Sequence, residues 1–221
     1  MKIVLFAIIY LLATAAMAFS ENITENKPTE NPEQDMETRL ITKIARIEVG
    51  VETKEVRIFQ ENEGSLVEQV YPAATASPGK NSRGIPYGKV GVATKIVFNP
   101  GWTPTKDIWK EYFKKRKKPM KKYFHPGASD NPLGLAKIFI SYNGYNSTLG
   151  IHTTNEPRSI GRRVSHGCTR ISDESMLEIA SIILKQNGHD AEKIIGQALE
   201  NPTKPITILL EDGPEVIYMK K

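Results

Sequence analysis

One cysteine and two nearby histidines are the residues of this 221-residue sequence most able to do chemistry. Cys168 is the only cysteine, and His152 and His166 precede it closely. A thiol becomes a good nucleophile only when it is ionised, and a neighbouring imidazole can accept its proton. Because a single cysteine cannot form an internal disulfide, Cys168 is buried and inert, bonded to another chain, or reactive.

The residues around Cys168 favour the reactive alternative. Gly167 allows the backbone to turn tightly beside the nucleophile, and the amides of Gly167 and Cys168 could donate to a developing oxyanion. Arg170 adds a fixed positive charge that would favour a thiolate and could hold a substrate carboxylate. The pattern therefore indicates nucleophilic acyl chemistry at Cys168.

Three other interpretations of the same residues stay open at this point. Free cysteines are often small buried hydrophobes, and either histidine could be a satisfied core residue. His152, His166 and Cys168 could together bind zinc, although the sequence offers no paired ligand spacing and no obvious fourth ligand. His125 and His189 are expected to be plain surface residues.

Strands should dominate the elements that position these residues. Alternating or continuous apolar runs predict strands at 45–51, 55–59, 66–71, 95–98, 136–140 and 148–152. The first three should form an antiparallel meander, and the chain should close with a hairpin of 206–210 and 216–219. Helices are predicted within 106–122, from a cap at Ser172 or Asp173 to Gly188, and over 191–199.

The fold class that follows from these elements is mainly β. We expect an antiparallel β sandwich or barrel with a small helical cap, because the helices come late in the chain. His152 should end a strand, and Cys168 should begin the turn towards the capped helix.

The first 38 residues should lie outside the folded domain. Lys2, the apolar run 3–12 and the small residues at 16–18 predict a signal peptide over 1–18. Residues 19–38 are polar, cannot bury enough apolar surface to fold, and predict a tether. The remaining residues, 39–221, are enough for one domain with a hydrophobic core.

The charge of the chain suggests an anionic partner. The formal net charge is +5, which favours attraction to an anionic polymer. No nucleic-acid motif is present, and we expect no nucleic-acid partner. The basic run at 110–122 is either a solvated helix face and loop or a lid that attracts substrate carboxylates.

The segment around Cys168 also resembles a known family. The run H-T-T-N-E-P-R-S-I-G-R-R-V-S-H-G-C-T-R-I at 152–171 is similar to the active-site signature of the L,D-transpeptidases, the YkuD family. Residues 71–75 resemble a strand of the family, and 99–104 and 130–134 resemble elements of its Gram-negative branch. The resemblance covers roughly 44–210.

The resemblance implies a role for each residue that matches the signature. Cys168 would be the nucleophile and His152 the general base, oriented by the backbone carbonyl of Thr153. Thr153 departs from the family pattern, where many relatives carry glycine or serine, but threonine offers the same carbonyl. His166 would shape the site, and Gly167 and Cys168 amides would form the oxyanion hole.

Substrate contacts are expected from three further residues of the signature: Arg163, Ser165 and Arg170. The implied substrate is the tetrapeptide stem of peptidoglycan, from which D-Ala is released through a thioester. The acceptor would be a second stem, a lysine of a wall-anchored lipoprotein, or a free D-amino acid.

Two alternatives to a transpeptidase remain on the same scaffold. Water as acceptor would make the protein a hydrolase that trims stems or releases wall proteins. A non-catalytic wall-binding module would not need Cys168. For the leading hypothesis we expect an exported, periplasmic monomer that needs no metal or organic cofactor.

Overall fold

A nine-stranded mixed sheet forms the framework of the protein. The computed structural model describes residues 43–62, 64–79, 81 and 84–221; the predicted signal peptide and tether lie outside them. The strands of this sheet are β1 (Lys43–Gly50), β2 (Glu55–Asn62), β3 (Ser65–Pro72), β5 (Val90–Phe98), β6 (Ala136–Tyr142), β7 (Tyr145–His152), β9 (Thr169–Arg170), β10 (Ile206–Leu209) and β11 (Glu215–Met219).

Strand pairing follows the order β3-β2-β1-β11-β5-β6-β7-β9, and β10 also pairs with β5. Each predicted strand is confirmed, with ends that differ by a few residues, and the β1-β2-β3 meander is antiparallel. β4 (Thr75–Ala76) and β8 (Arg163–Ser165) form a separate parallel pair. The prediction of a mainly β fold with a small helical cap is therefore confirmed.

Two pairs in the main sheet are parallel, namely β1 with β11 and β7 with β9. A parallel neighbour requires a crossover connection of a dozen or more residues. Residues 153–168, which include β8 and a 3₁₀ turn at Pro157–Ser159, supply that connection between β7 and β9. This crossover brings the cysteine back beside the strand that ends in the histidine.

The predicted C-terminal hairpin is wrong in its pairing. β10 pairs with residues 95–98 of β5, and β11 pairs with residues 90–92 of the same strand. The two last strands therefore lie end to end along β5. The pairing of β5 with β6 shifts register between Ala93 and Lys95, near the point where β11 follows β10. Gly213 lies against β5 at that point, where a Cβ would clash with the Ala93 carbonyl oxygen.

Three helices follow or interrupt the strands in the described residues: α1 (Lys106–Arg116), α2 (Asp173–Gln186) and α3 (Ala191–Glu200). Ser172 caps α2, since its hydroxyl accepts from the Ser175 amide at 3.1 Å. Met176, Ile179 and Ile183 recur at helical spacing and are fully buried. The hydrophobic core lies between this face of α2 and the sheet. No helix in this part of the chain has the length and apolar character needed to span a bilayer.

Candidate active site

His152 is the last residue of β7 and is almost completely buried, with 5% of its surface exposed. Its Nδ1 atom lies 2.5 Å from the backbone carbonyl oxygen of Thr153. Because a carbonyl can only accept a hydrogen bond, Nδ1 carries the proton in this contact. In the neutral ring Nε2 is then left as an acceptor, which is the state a general base needs.

The surroundings of His152 strongly favour its neutral form. Burial lowers the pKa of this imidazole from 6.5 to about 3, and the cation of Lys137 acts in the same direction. The hydrogen bond to Thr153 opposes this shift but is the weaker influence. The ring is therefore an uncharged proton acceptor at neutral pH.

Thr153 holds the end of β7 in place with its side chain as well as its carbonyl. The hydroxyl accepts from the amides of Leu135 and Ala136, at 2.5 and 3.2 Å, and donates to the Leu133 carbonyl at 3.1 Å. The residue is fully buried. Glycine would offer the same carbonyl to His152 but none of these side-chain contacts, so the threonine adds a buried anchor for this end of β7.

Cys168 lies immediately before β9, beside the strand that carries His152. The parallel register pairs Ile151 with Thr169 and His152 with Arg170. Cys168 therefore precedes the partner of His152 by two residues, which is about 7 Å along the strand. Side chains two apart on a strand share a face, so the same alternation directs Cys168 and Arg170 to the face of His152.

The thiol of Cys168 is partly exposed and lies against the backbone of β7. Its Sγ is 3.4 Å from the carbonyl oxygen of Thr148, to which it donates. In this arrangement the sulfur is reachable from outside and is not sealed in apolar packing. The interpretation of Cys168 as an inert core residue does not fit this position.

Gly167 makes the turn that presents the cysteine. Its φ of +138° is in a region that L side chains rarely adopt, and a Cβ would contact Leu149 at 3.0 Å. Its amide donates to the Ser165 hydroxyl at 3.2 Å. The carbonyl of buried Ser165 in turn accepts from the Ser77 amide at 3.0 Å. In this structure Ser165 therefore supports the turn from within the fold.

The two arginines expected to bind substrate differ in how the fold uses them. Arg163, on β8, donates from Nε to the Ala76 carbonyl at 3.1 Å and so ties β8 to β4. Arg170 donates from Nη1 to a Glu156 carboxylate oxygen at 3.0 Å, while its Nε is buried without a hydrogen-bond partner in the described residues. Arg170 is the one that lies next to His152 in register.

His166 points away from the buried part of the site, towards α1. Its Nε2 lies 3.1 Å from a carboxylate oxygen of Glu111, which also pairs with Lys115 at 2.6 Å. None of the α1 residues is buried, and its last turn carries Lys114, Lys115 and Arg116. The start of the basic run thus lies beside the cysteine loop, attached through an exposed ion pair.

Sequence reasoning missed the lysine that pairs with His152 in register. Lys137 pairs with His152 across β6 and β7 and is 8% exposed. A lysine inside the otherwise apolar run 136–140 was the signal that could have revealed it, because lysine is almost never buried without a reason. In the described residues no group of three or more histidine, cysteine or acidic side chains is placed to hold a metal ion.

Comparison with known proteins adds a family match to this geometry. The model of the L,D-transpeptidase catalytic domain, YkuD, matches residues 45–207. Two curated relatives from Escherichia coli K12 are named Probable L,D-transpeptidase ErfK/SrfK and Probable L,D-transpeptidase YbiS. They are 30% and 29% identical to this chain, each over 128 residues.

These relatives are longer than the region they share with this chain. The alignments cover 58% of this chain but only 38% of ErfK/SrfK and 39% of YbiS. A solved structure of an L,D-transpeptidase from Mycobacterium smegmatis aligns over 80% of this chain and 59% of its own, at 12% identity and a TM-score of 0.38. The family match over residues 45–207 extends over well more than half of the chain.

Proposed function

The chain belongs to the YkuD family of L,D-transpeptidase catalytic domains, and from this premise we propose that it is a cysteine-dependent acyl transferase acting on peptidoglycan tetrapeptide stems. The observation that carries the proposal is the parallel pairing of β7 with β9. In that pairing a buried, uncharged imidazole lies beside the strand that directly follows Cys168. The partly exposed sulfur leaves room for a substrate from outside.

The first half of the reaction forms a thioester. The Cys168 thiol turns from the Thr148 carbonyl towards His152, and Nε2 takes its proton as the sulfur attacks the carbonyl that precedes the terminal D-Ala. The new C–S bond forms, the C–N bond to D-Ala breaks, and His152 returns the proton to the departing amine. The stem, without its D-Ala, is then bound to Cys168.

The second half transfers the acyl group to an amine. The amine attacks the thioester carbonyl and His152 accepts the proton that the amine loses. The C–S bond then breaks, and the departing sulfur takes this proton from His152, which restores the Cys168 thiol and the neutral imidazole. The Cys168 amide donates to the oxyanion in both halves. The Gly167 amide, which was also expected in the oxyanion hole, donates to the Ser165 hydroxyl instead. Arg170, fixed by Glu156, contributes positive charge on the same face.

The proposed setting of this reaction is the periplasm. Residues 39–221 would be the catalytic domain of an exported monomer, with 1–18 as signal peptide and 19–38 as tether. The excess of basic over acidic residues supports attraction to an anionic wall polymer.

Product analysis tests the proposal and identifies the acceptor. Purified protein is incubated with a tetrapeptide muropeptide, alone and with an amine acceptor such as glycine or a second stem, and the products are identified by mass. We expect D-Ala release and transfer to the amine, both abolished by Cys168→Ala. Release without transfer would indicate a hydrolase, and wall binding without turnover would indicate a binding module.

A further inference from the structure

A row of residues crosses four neighbouring strands at the level of the cysteine. Lys95 on β5 pairs with Phe139 on β6, and Phe139 pairs with Gly150 on β7. Because Ile151 pairs with Thr169 in parallel register, the preceding residues Gly150 and Cys168 also lie level with each other. Each step is one strand spacing, about 4.8 Å.

The side chain of Lys137 runs along this row next to the proposed base. Its backbone pairs with His152, and its Cε would lie 2.7 Å, and its Nζ 3.6 Å, from a Cβ placed on Gly150. The ammonium also lies 4.6 Å from the centroid of the Phe139 ring. Glycine at position 150 thus leaves the space that the lysine occupies, one strand away from Cys168.

A second ammonium approaches the same ring. Lys95 Nζ lies 4.6 Å from the Phe139 centroid, the same distance as Lys137 Nζ. In the described residues neither lysine forms an ion pair or hydrogen bond with a carboxylate, whereas Arg170 has Glu156. Two ammonium groups held on one ring repel each other, and the nearly buried Lys137 is poorly solvated. An anionic group placed beside them would relieve both costs.

We propose that Lys137, assisted by Lys95, forms the subsite that binds a carboxylate of the donor peptide stem. The inference rests on the proposed function and assigns a specificity-determining role to residues outside the cysteine signature. A carboxylate one or two residues from the reacting carbonyl lies about 4–7 Å from it along an extended peptide. The Lys137 ammonium is at a matching distance, because Gly150 is one strand spacing from Cys168 and Lys137 Nζ lies 3.6 Å from a Cβ placed on Gly150. The backbone of Lys95 is two strands farther away, so this lysine assists from behind Lys137.

The influence of Lys137 on His152 supports this placement. The cation is the second cause, after burial, of the lowered pKa of the imidazole. A bound carboxylate would offset that cation, and so it would make proton transfer from Cys168 to His152 easier once the substrate is in place. Substrate recognition and activation of the base would thereby be coupled through one side chain.

Stems with single carboxamides test the subsite. Each carboxylate of the tetrapeptide is replaced in turn by its amide, and the second-order rate of Cys168 acylation is measured for wild type, Lys137→Met, Lys95→Met and the control Lys193→Met. Methionine keeps the length of the side chain against Gly150 and Phe139. Lys193 is exposed on α3.

We expect one of the amides to slow the wild type by about tenfold to a hundredfold, the usual size of a charged hydrogen bond. Lys137→Met should reduce the acylation rate with the native stem by the same factor, and replacing the native stem by that amide should not reduce the rate of this variant further. Lys95→Met should show a smaller loss of the same kind, and Lys193→Met none. An equal loss of Lys137→Met on acid and amide stems would assign the lysine to the thiolate instead and overturn the proposal, as would no loss.

Binding measured without chemistry separates this inference from the proposed function. In a Cys168→Ala background, calorimetry should show weaker binding of the native stem when Lys137→Met is added, and equal binding of the discriminating amide. Absence of acylation by the wild type would refute the proposed function alone. Stem binding that does not depend on Lys137 would refute the subsite alone.

Discussion

The two histidines of the cysteine motif occupy opposite environments. His152 ends a central strand, is almost fully buried, and is held by the Thr153 carbonyl. His166 lies in the loop before Cys168, is more than one-third exposed, and contacts Glu111 on a helix with no buried residues. The difference teaches that the same residue type is held here as a buried imidazole on the sheet, where we propose that it acts as the base, and as an exposed contact for a surface helix.

The largest difference between the two histidines is expected in the rate of acylation when each is replaced in turn. We expect His152→Gln to slow acylation of Cys168 by about 10²- to 10⁴-fold, because a positioned general base contributes that much. His166→Gln should cost less than about fivefold, since an exposed ion pair is worth at most about 1 kcal/mol. Stopped-flow acylation with a tetrapeptide stem measures both, and comparable losses in the two variants would contradict the assignment.

The role of Thr153 as a buried anchor beside His152 can be tested through the free energy of unfolding. Thr153→Val should lower the free energy of unfolding by about 3 kcal/mol, because the amides of Leu135 and Ala136 lose their hydroxyl acceptor. Denaturant unfolding measures the loss. Thr153→Ser should retain most of the stability, and Thr154→Val, which removes one contact to the Glu156 amide, should cost about 1 kcal/mol. Equal effects of both valines would argue against Thr153 as the anchor.

Stability should depend on pH through His152. Its folded pKa of about 3 lies below the ordinary 6.5, so between these values the unfolded chain binds more protons than the folded one. Above pH 6.5 the imidazole is neutral in both states and folding carries no cost for removing its proton. As the pH falls from 6.5 towards 3, the free energy of unfolding decreases by at most about 1.4 kcal/mol per pH unit.

The variant His152→Gln isolates this effect. Between pH 7 and pH 4.5 we expect wild type to lose about 2 kcal/mol more stability than the variant, as followed by urea unfolding at both pH values. His166→Gln should follow wild type. If wild type and His152→Gln lose the same stability, the imidazole is not buried in its neutral form.

The smallest effect is expected at the exposed contact between His166 and Glu111. Glu111→Gln should weaken the attachment of α1 to the His166 loop and raise amide hydrogen exchange in α1 by less than about fivefold. Lys185→Met, on α2, serves as a control with no contact to this loop among the described hydrogen bonds and ion pairs. Unchanged exchange in α1 would indicate that the ion pair does not hold the helix.

The strands and helices could be predicted because their patterns are local. Alternating apolar residues marked β1 and β2, and a turn signal after β2 marked the start of β3. A cap at Ser172 or Asp173 and Gly188, which has a φ of +75°, marked the ends of α2. The prediction of a C-terminal hairpin was wrong because the local pattern shows that a segment is a strand but does not show which other strand it pairs with. β5 is long enough to pair with both terminal strands, so β10 and β11 each form their hydrogen bonds with β5 and not with each other.

The site could be predicted only as far as the motif extends. His152 and Cys168 were identifiable from residue type and from the family resemblance. Lys137 and Gly150 lie on the consecutive strands β6 and β7, and Lys95 joins them only through the pairing of β6 with β5, which is far away in sequence. No local pattern encodes that row, and only the unusual lysine in an apolar strand hinted at it.

Intact-mass spectrometry of the protein, quenched in acid during turnover of a tetrapeptide stem, tests most directly whether Cys168 is the nucleophile. We expect an adduct with the mass of the stem less D-Ala, located on the peptide that contains Cys168 and absent from Cys168→Ala. Release of D-Ala without any adduct on Cys168, or continued release by Cys168→Ala, would contradict the mechanism.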